Sequence, residues 1–220
     1  MSTRALIVFL KHPEAGAVKT RLLPLLGAQT AAELYRALCE EVLRTTVPRR
    51  GEYERLVFFA PPEAAEAVRA WLPGVRLFPQ GGGDLGARMS AAFARAFDRG
   101  AERAAIVGTD SPAVSRATVT AALDALDEVD VVLGPAEDGG YYLLALRQPR
   151  PELFEGVAWS TGAVLEETVA RAARGGLRVH RLAPLRDIDT PEDLRAEWPR
   201  LRSLLEARPD LRLRVEARLE

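Results

Sequence analysis

The sequence predicts an α/β fold, in which a single domain contains an open, mixed and mostly parallel sheet with helices on both faces. Strand-like and helix-like segments alternate from the first residues of a 220-residue chain, which is a suitable length for one such domain. The first strand is continuously apolar, as expected for a strand buried on both faces. Alternation breaks near residue 140, where a short Gly-rich link joins two apolar segments and is too short for a parallel crossover.

Each predicted element has its own local signal. Short apolar runs indicate strands, and apolar residues three and four positions apart indicate helices. Pro62 suits a first helical turn, Ser115 suits an N-cap, and Gly100 suits a helix end. In chain order we predict strand 5–10, helix 28–46, strand 56–60, a helix from 62, strand 75–78, helix 85–99, strand 104–108, helix 115–126, strand 129–134, strand 141–146, helix 161–174, edge strand 177–182, a helix after 189–192, and a tail over 209–220 that is either a short helix or frayed.

The composition excludes several classes of function. Thirty basic and 31 acidic residues give a net charge of −1, which argues against a nucleic-acid-binding protein. No apolar run approaches the ~18 residues of a membrane helix, and no signal-peptide pattern is present, so we expect a cytoplasmic location without a membrane partner. The single cysteine, Cys39, excludes an internal disulfide and a cysteine-based metal cluster.

The loop after the first strand indicates phosphate binding. Ligands of open α/β sheets bind beyond the carboxyl ends of the strands, so these loops are where chemistry is expected. Residues 11–21 contain Lys11, Lys19 and Arg21, together with Gly16. Cations neutralise phosphate charge, and a glycine lets backbone N–H groups approach a ligand. The spacing differs from that of a Walker A loop, and a solvated basic loop is the alternative interpretation.

A glycine-rich segment, residues 80–89, follows the third strand. Its glycines fit the Gly-x-Gly-x-x-Gly spacing, but a dinucleotide-binding sheet carries that motif after its first strand. A dinucleotide site is therefore disfavoured. The amide of Gln80 could hydrogen-bond the edge of a nucleobase, and a plain flexible turn is the alternative.

Two acidic segments predict a metal site. Asp110 lies at the mouth of the fourth strand, where one carboxylate could bind Mg²⁺ together with substrate phosphates. Asp187 and Asp189 project to the same side of an extended segment and could supply further ligands. A turn-forming or helix-capping role for Asp110 is the alternative. Thr190 also suits the N-cap of the last predicted helix.

A second substrate is predicted beyond the fifth strand. Asp138, Gly139 and Gly140 could seat an acceptor there, and a tight turn is the alternative. Ser160 and Thr161 precede a predicted helix, where they could cap the helix or receive an anion at its N-terminus.

Taken in order, these segments resemble the bacterial DUF2064 family, whose members are described as glycosyltransferase-like or nucleotide-diphospho-sugar-transferase-like. The resemblance covers roughly residues 4–200 and rests on the segments 11–22, 80–89, 108–112, 133–141, 159–160 and 187–191. It implies the GT-A type fold. It also implies the following roles: Lys11, Lys19 and Arg21, with Gly16 and Thr20 in the same loop, for phosphates; Gln80 and Gly86 for the base; and Asp110 with Asp187 or Asp189 for metal.

The resemblance leads us to expect a Mg²⁺-dependent (or Mn²⁺-dependent) nucleotidyltransferase. A phosphate- or carboxylate-bearing small molecule would attack a nucleoside triphosphate and release pyrophosphate, with Lys19, Arg21 and Asp110 as catalytic residues. Two alternatives stay open: a glycosyltransferase that uses a nucleotide-sugar, and a non-catalytic nucleotide-binding protein. The chain lacks the Leu-Ala-Gly-Gly start of many nucleotidyltransferases, and it has one Asp where glycosyltransferases of this fold show Asp-x-Asp.

Overall fold

Within residues 3–219, which the computed structural model describes, the strands form one sheet in the order β3-β2-β1-β4-β6-β5-β7. The strands are β1 (Arg4–Lys11), β2 (Glu54–Ala60), β3 (Leu77–Pro79), β4 (Arg103–Val107), β5 (Val131–Pro135), β6 (Tyr141–Leu146) and β7 (Val179–Arg181). Neighbouring strands are parallel except for β6, which runs antiparallel to both β4 and β5. The predicted mixed, mostly parallel sheet is confirmed.

Helices cover both faces of the sheet. They are α1 (Leu23–Leu26), α2 (Ala28–Thr45), α3 (Ala65–Trp71), α4 (Leu85–Asp98), α5 (Arg116–Ala125), α6 (Val164–Arg174), α7 (Pro191–Ala196), α8 (Trp198–Leu204) and α9 (Pro209–Glu216). Short 3₁₀ helices occupy Thr20–Leu22, Pro62–Ala64 and Pro151–Leu153. None of these helices within residues 3–219 combines the length and apolar character needed to cross a membrane.

The continuous apolar run of β1 arises because both faces of this strand are buried. Successive side chains of a strand point to opposite faces. Leu6 and Val8 pack with α2 and α5 on one face, whereas Ile7 and Phe9 pack with α4 and α6 on the other. A third apolar cluster, including Leu34 of α2, joins α1 and α2 to helices α7–α9.

Several predicted boundaries change in the structure. The helical turns over residues 20–26 were not predicted, and the edge strand 177–182 shortens to β7. The tail is a helix as far as Glu216 because Leu211 and Val215 are buried in the third cluster, so the frayed alternative is wrong there. Residues 1, 2 and 220 of the predicted 1–220 domain lie outside the described residues.

Two predicted helix starts are confirmed by their hydrogen bonds. The Ser115 hydroxyl accepts a hydrogen bond from the backbone N–H of Thr118 at 3.2 Å and caps α5. Thr190 caps α7 in the same way, through the N–H of Asp193 at 3.2 Å, and the Asp193 carboxylate accepts from the N–H of Thr190 at 2.9 Å. This reciprocal capping fixes the end of the Asp187–Asp189 segment.

The third cluster predicts the effect of truncating a leucine in α8. Leu201 is fully buried there, so Leu201→Ala should lower the free energy of unfolding by about 2–5 kcal/mol through lost burial and a residual cavity. Leu213 in α9 is 57% exposed, and Leu213→Ala should change the free energy by less than about 0.5 kcal/mol. Urea unfolding of both variants measures the difference, and equal losses would contradict this account of the cluster.

Candidate active site

A cavity of about 680 Å³ opens at the carboxyl ends of β1 and β4. Because β6 is antiparallel, its first residues, Tyr141 and Tyr142, lie at the same edge and also line the cavity. The lining residues that were predicted from the sequence are Lys11, Lys19, Thr20, Arg21, Gln80, Asp110, Asp138, Gly140, Ser160, Thr161, Asp187 and Asp189. Gly16 and Gly139, in the same loops, and Gly86, in the first turn of α4, do not line the wall. The structure therefore brings the predicted loops together around one space.

An ion-pair cluster forms part of the cavity wall. The Lys19 ammonium donates hydrogen bonds to Oδ1 of Asp110 and, at 2.8 Å, to Oδ1 of Asp189. The Lys19 side chain is only 2% exposed, whereas those of Asp110 and Asp189 are 42% and 37% exposed. The ammonium thus lies on the protein side of the two carboxylates, and the carboxylates remain accessible from the cavity.

The local backbone directs Lys19 inward. Lys19 has φ 48° and ψ 44°, a left-handed conformation that is uncommon for a residue other than glycine, and it immediately precedes the first 3₁₀ turn. Its ammonium lies 5.6 Å from the centre of the Tyr35 ring. Burial alone would lower the pKa of Lys19, but the charges of Asp110 and Asp189 outweigh burial and raise it above its ordinary value. Lys19 is therefore held in its charged form.

A third acid, Asp187, completes the cluster. Burial and the nearby charge of Asp110 raise the pKa of Asp187 to about 7. The Ser111 hydroxyl donates a hydrogen bond to the Asp187 carboxylate, and the backbone N–H of Ile188 donates to the carbonyl of Asp110 at 2.9 Å. A buried carboxyl group resists ionisation because burial penalises its charged form, and a neighbouring negative charge adds to this effect. Asp110, Asp187 and Asp189 therefore line one cavity together with a single ammonium group, and carboxylate oxygens are ligands that Mg²⁺ prefers.

The carboxylates available for such a cation are few. Among residues 3–219, no group of three or more His, Cys, Asp or Glu side chains is arranged to hold a metal ion. The ligand sets that the sequence predicts, Asp110 with Asp187 or with Asp189, stay predictions. Two carboxylates suffice for Mg²⁺ when substrate phosphates and water complete its coordination.

A buried hydrogen-bonded group beneath the cluster was missed from the sequence. The Tyr35 hydroxyl accepts a hydrogen bond from the backbone N–H of Lys11 at 2.9 Å and lies 3.0 Å from the Thr109 hydroxyl. The Cys39 thiol also donates to Thr109, at 3.3 Å. Tyr35 and Cys39 are four residues apart on the inner face of α2. Their spacing predicts that they lie side by side on the helix, but it does not predict that they lie beneath Asp110. They connect the loop after β1 to the loop after β4.

Gln80 is placed in the cavity wall, but its amide is already engaged by the protein. Its Nε2 donates to the carbonyls of Leu10 at 3.1 Å and Phe58 at 3.3 Å, and its Oε1 accepts from Arg88 at 3.1 Å. Gln80 is 5% exposed. Instead of presenting a free amide for a base edge, it ties β1, β2 and α4 together.

Gly86 approaches Trp159 rather than open space. A Cβ atom at Gly86 would lie 2.6 Å from the indole Nε1 of Trp159, so the absence of a side chain lets this ring pack on the first turn of α4. Trp159 fills the side of Gly86 to which a side chain would point, and the assignment of Gly86 to a base stays a prediction. Trp159 itself lines the cavity and stacks with Phe154, with ring centroids 6.5 Å apart.

The predicted acceptor residues lie on two loops that touch each other. The backbone N–H of Leu165 donates to the carbonyl of Gly139 at 2.9 Å. Gly139 has φ 88°, and a methyl group there would overlap the carbonyl oxygen of Gly162. The Asp138 carboxylate accepts from the N–H of Gly140 at 2.9 Å, so the segment is a tight turn that also borders the cavity.

The capping interpretation of Ser160 and Thr161 is wrong. Helix α6 begins at Val164, and its N-cap is Ala163, without a side-chain capping bond. The Thr161 hydroxyl donates instead to the carbonyl of Ala158 at 2.8 Å, within the loop. Ser160 has φ 65°, which turns the chain between these residues, and both Ser160 and Thr161 are exposed at the cavity.

Comparison with known proteins identifies the family. Residues 43–161 match DUF2064, which is described as an uncharacterized protein conserved in bacteria. The chain belongs to this family. The part that matches spans the loops containing Gln80, Asp110 and Asp138.

Individual relatives extend the comparison. A phosphoenolpyruvate guanylyltransferase from Chloroflexus aggregans is 29% identical over 139 residues, which cover 62% of this chain and 69% of the relative. A crystal structure from Desulfovibrio desulfuricans G20, with the provisional name nucleotide-diphospho-sugar transferase, is 33% identical with a TM-score of 0.88, covering 98% of this chain and 99% of the other. The predictions of a nucleotide-diphospho-sugar transferase fold and of a transferase are confirmed.

A more distant structure shares the fold alone. CMP:2-keto-3-deoxy-manno-octonic acid synthetase, solved as a complex with CTP, has a TM-score of 0.55 at 14% identity, and the match covers 94% of this chain and 99% of the other.

The contact between the two acceptor loops leads to a prediction for Gly139. Gly139→Ala and Gly16→Ala both place an L residue at positive φ, which costs roughly 1–2 kcal/mol. Nothing lies within 4 Å of a Cβ at Gly16, whereas a Cβ at Gly139 meets backbone. Gly139→Ala should therefore be less stable than Gly16→Ala by about 1–3 kcal/mol in urea unfolding. Equal stabilities would show that the 160–163 loop moves aside freely.

Proposed function

We propose that this protein is a divalent-metal-dependent nucleotidyltransferase. A phosphate or carboxylate oxygen of a small acceptor attacks the α-phosphorus of a nucleoside triphosphate. The new oxygen–phosphorus bond forms as the bond between the α-phosphorus and the bridging oxygen breaks, and pyrophosphate leaves with that oxygen. Positioning and neutralisation of charge account for most catalysis in phosphoryl-group chemistry, so the protein needs no covalent intermediate.

The observation that carries this proposal is that one cavity joins a cationic loop to an acidic centre. Lys11, the last residue of β1, and Arg21, in the 3₁₀ turn that follows, are exposed at the cavity, and Arg88 of α4 lines the same wall. Three cations suit a triphosphate, whose negative charge is concentrated along one chain of phosphates. Asp110 lies across from this loop, joined to it through Lys19. Nucleotide phosphates and a metal would therefore meet at the end of β4.

Asp110, with Asp187 or Asp189, would hold the metal, which we propose to be Mg²⁺ or Mn²⁺. When bound, such an ion neutralises phosphate charge and makes the α-phosphorus easier to attack. The acids' own contribution is orientation: the Ile188 N–H bond to the Asp110 carbonyl fixes the two acidic segments against each other.

The remaining residues of the cavity divide between the two substrates. We assign Lys11, Thr20 and Arg21, at the β1 side, to the phosphates, with Gly16 allowing the loop to turn. Asp138, Gly140, Ser160 and Thr161 lie at the β6 and β5 side, where we place the acceptor. Gly139 contributes by holding the two acceptor loops in contact rather than by touching the acceptor.

The Chloroflexus relative supports the reaction type. Its name describes transfer of a guanylyl group to phosphoenolpyruvate, a molecule that carries both a phosphate and a carboxylate. The same acceptor chemistry at this chain is part of the proposal.

A second candidate is glycosyl transfer from a nucleotide-sugar in the same cavity. The provisional name of the 33% identical Desulfovibrio structure favours it. Incubation of the protein with a panel of nucleotide-sugars, in the presence of Mn²⁺ and without acceptor, tests this candidate, because slow hydrolysis of the donor would release a nucleoside diphosphate.

Substitution of Asp110 tests the proposed reaction. Asp110→Asn should lower transfer activity by more than about a hundredfold, since removing a metal-binding carboxylate costs several kcal/mol of transition-state stabilisation. Pyrophosphate release from each nucleoside triphosphate with Mg²⁺ or Mn²⁺ provides the measurement. Asp98→Asn is the matched control. Asp98 is the last residue of α4 and does not line the cavity, so this variant should retain activity. Full activity in Asp110→Asn would exclude the proposed metal site.

The cationic loop predicts selectivity for triphosphates. Arg21→Ala should weaken binding of a nucleoside triphosphate about tenfold, as expected for loss of one charged hydrogen bond, and should affect the monophosphate less. Isothermal titration of both nucleotides against the wild-type protein and the variant measures the difference. Arg174→Ala, an exposed cation at the end of α6, controls for overall charge. Equal losses for triphosphate and monophosphate would place Arg21 away from the terminal phosphates.

A further inference from the structure

The charge of the acid pair expected to bind metal is already partly neutralised by a side chain of the protein. Asp110 and Asp189 each direct Oδ1 to the Lys19 ammonium. Lys11 and Arg21 come from the same loop, but within residues 3–219 neither has an acid within salt-bridge distance. The cations of this loop are therefore of two kinds, one buried between carboxylates and the others exposed to the cavity.

Three features of the structure hold Lys19 in its position. The side chain is 2% exposed, its backbone adopts the uncommon left-handed conformation, and the Tyr35 ring lies beside the ammonium. Burying an ammonium group costs several kcal/mol unless close charges and hydrogen bonds compensate for it. The two carboxylates provide that compensation, so the ammonium and the acids depend on each other when no other ion is present.

We propose that Lys19 is an internal counter-ion that keeps a free divalent metal from binding to Asp110 and Asp189 until a triphosphate arrives with it. The phosphate oxygens would then accept hydrogen bonds from the ammonium as the carboxylates turn to the metal. This inference rests on the proposed function, because it assumes that these acids bind a metal and that the cavity binds a triphosphate.

Electrostatics gives the sign of the effect. An ammonium in contact with the two carboxylates repels a second cation that approaches the same oxygens, and it also cancels part of their attraction. Removing this single charge should strengthen binding of a divalent ion in the absence of nucleotide on the order of tenfold or more, since a few ångströms separate the charges. A bound phosphate group should strengthen metal binding, because it compensates the charge of the ammonium and frees the two carboxylates to bind the metal.

The test measures Mn²⁺ binding rather than activity. Free Mn²⁺ is quantified by electron paramagnetic resonance during titration of the 220-residue wild-type protein, Lys19→Met and Lys11→Met. Lys19→Met should bind Mn²⁺ more tightly than wild type on the order of tenfold or more, whereas Lys11→Met, which removes an exposed charge from the same cavity, should change affinity much less. Lys19→Gln, which keeps a hydrogen-bond donor without the charge, should behave as Lys19→Met does and provides a second variant if Lys19→Met does not fold.

Inorganic triphosphate supplies the second arm of the experiment. Water proton relaxation reports protein-bound Mn²⁺, and addition of triphosphate should increase it strongly in the wild type but only weakly in Lys19→Met or Lys19→Gln. Unchanged or weaker Mn²⁺ binding in both variants would overturn the inference. Lys19 would then be a residue that positions the carboxylates of Asp110 and Asp189 for metal binding. If neither the wild type nor the two Lys19 variants bound Mn²⁺, even with triphosphate, the proposed metal site itself would be wrong.

Discussion

The contact of Lys19 with Asp110 and Asp189 is the interaction on which the arrangement of the cavity depends. It joins the loop after β1 to residues 91 and 170 positions further along the chain. Lys19 is the buried member of these ion pairs, so removing both carboxylates would leave a buried charge uncompensated, which is costly. The three loops are consequently held in register by charge, above a sheet that is held together by apolar burial.

The antiparallel strand β6 determines what lies opposite this cluster. A parallel strand between β4 and β5 would have directed its first residues to the far edge of the sheet. Because β6 runs the other way, the turn at Asp138–Gly140 opens onto the same cavity as Asp110. The contact of Gly139 with Gly162 then brings the loop before α6 to that side. One reversal of strand direction therefore supplies the second half of the cavity.

The sequence predicted the elements of the sheet, the mixed topology and the set of loops around the cavity, because hydrophobic periodicity and chain order determine these features. It did not predict which groups would be engaged within the protein. Gln80 had the chemistry to read a base, but its amide bonds to Leu10 and Phe58, residues that are distant in sequence. Gly86 predicted that another group packs closely against the backbone at this position, and that group is the ring of Trp159, 73 residues further along the chain. Pairings at such separations depend on tertiary packing, which local patterns do not encode.

Burial separates residues that the sequence grouped together. Lys11, Lys19 and Arg21 were all predicted to bind phosphates, since all three are cations in one segment, and Lys19 and Arg21 were also predicted to be catalytic. The structure leaves Lys11 and Arg21 exposed to the cavity and buries Lys19 between two acids. An exposed cation is free to bind an incoming phosphate, whereas a buried one must first exchange its partners. Under the proposed function, the same charge in the same segment would attract the nucleotide at two positions and, at the third, would make the acidic centre responsive to whether a nucleotide is present.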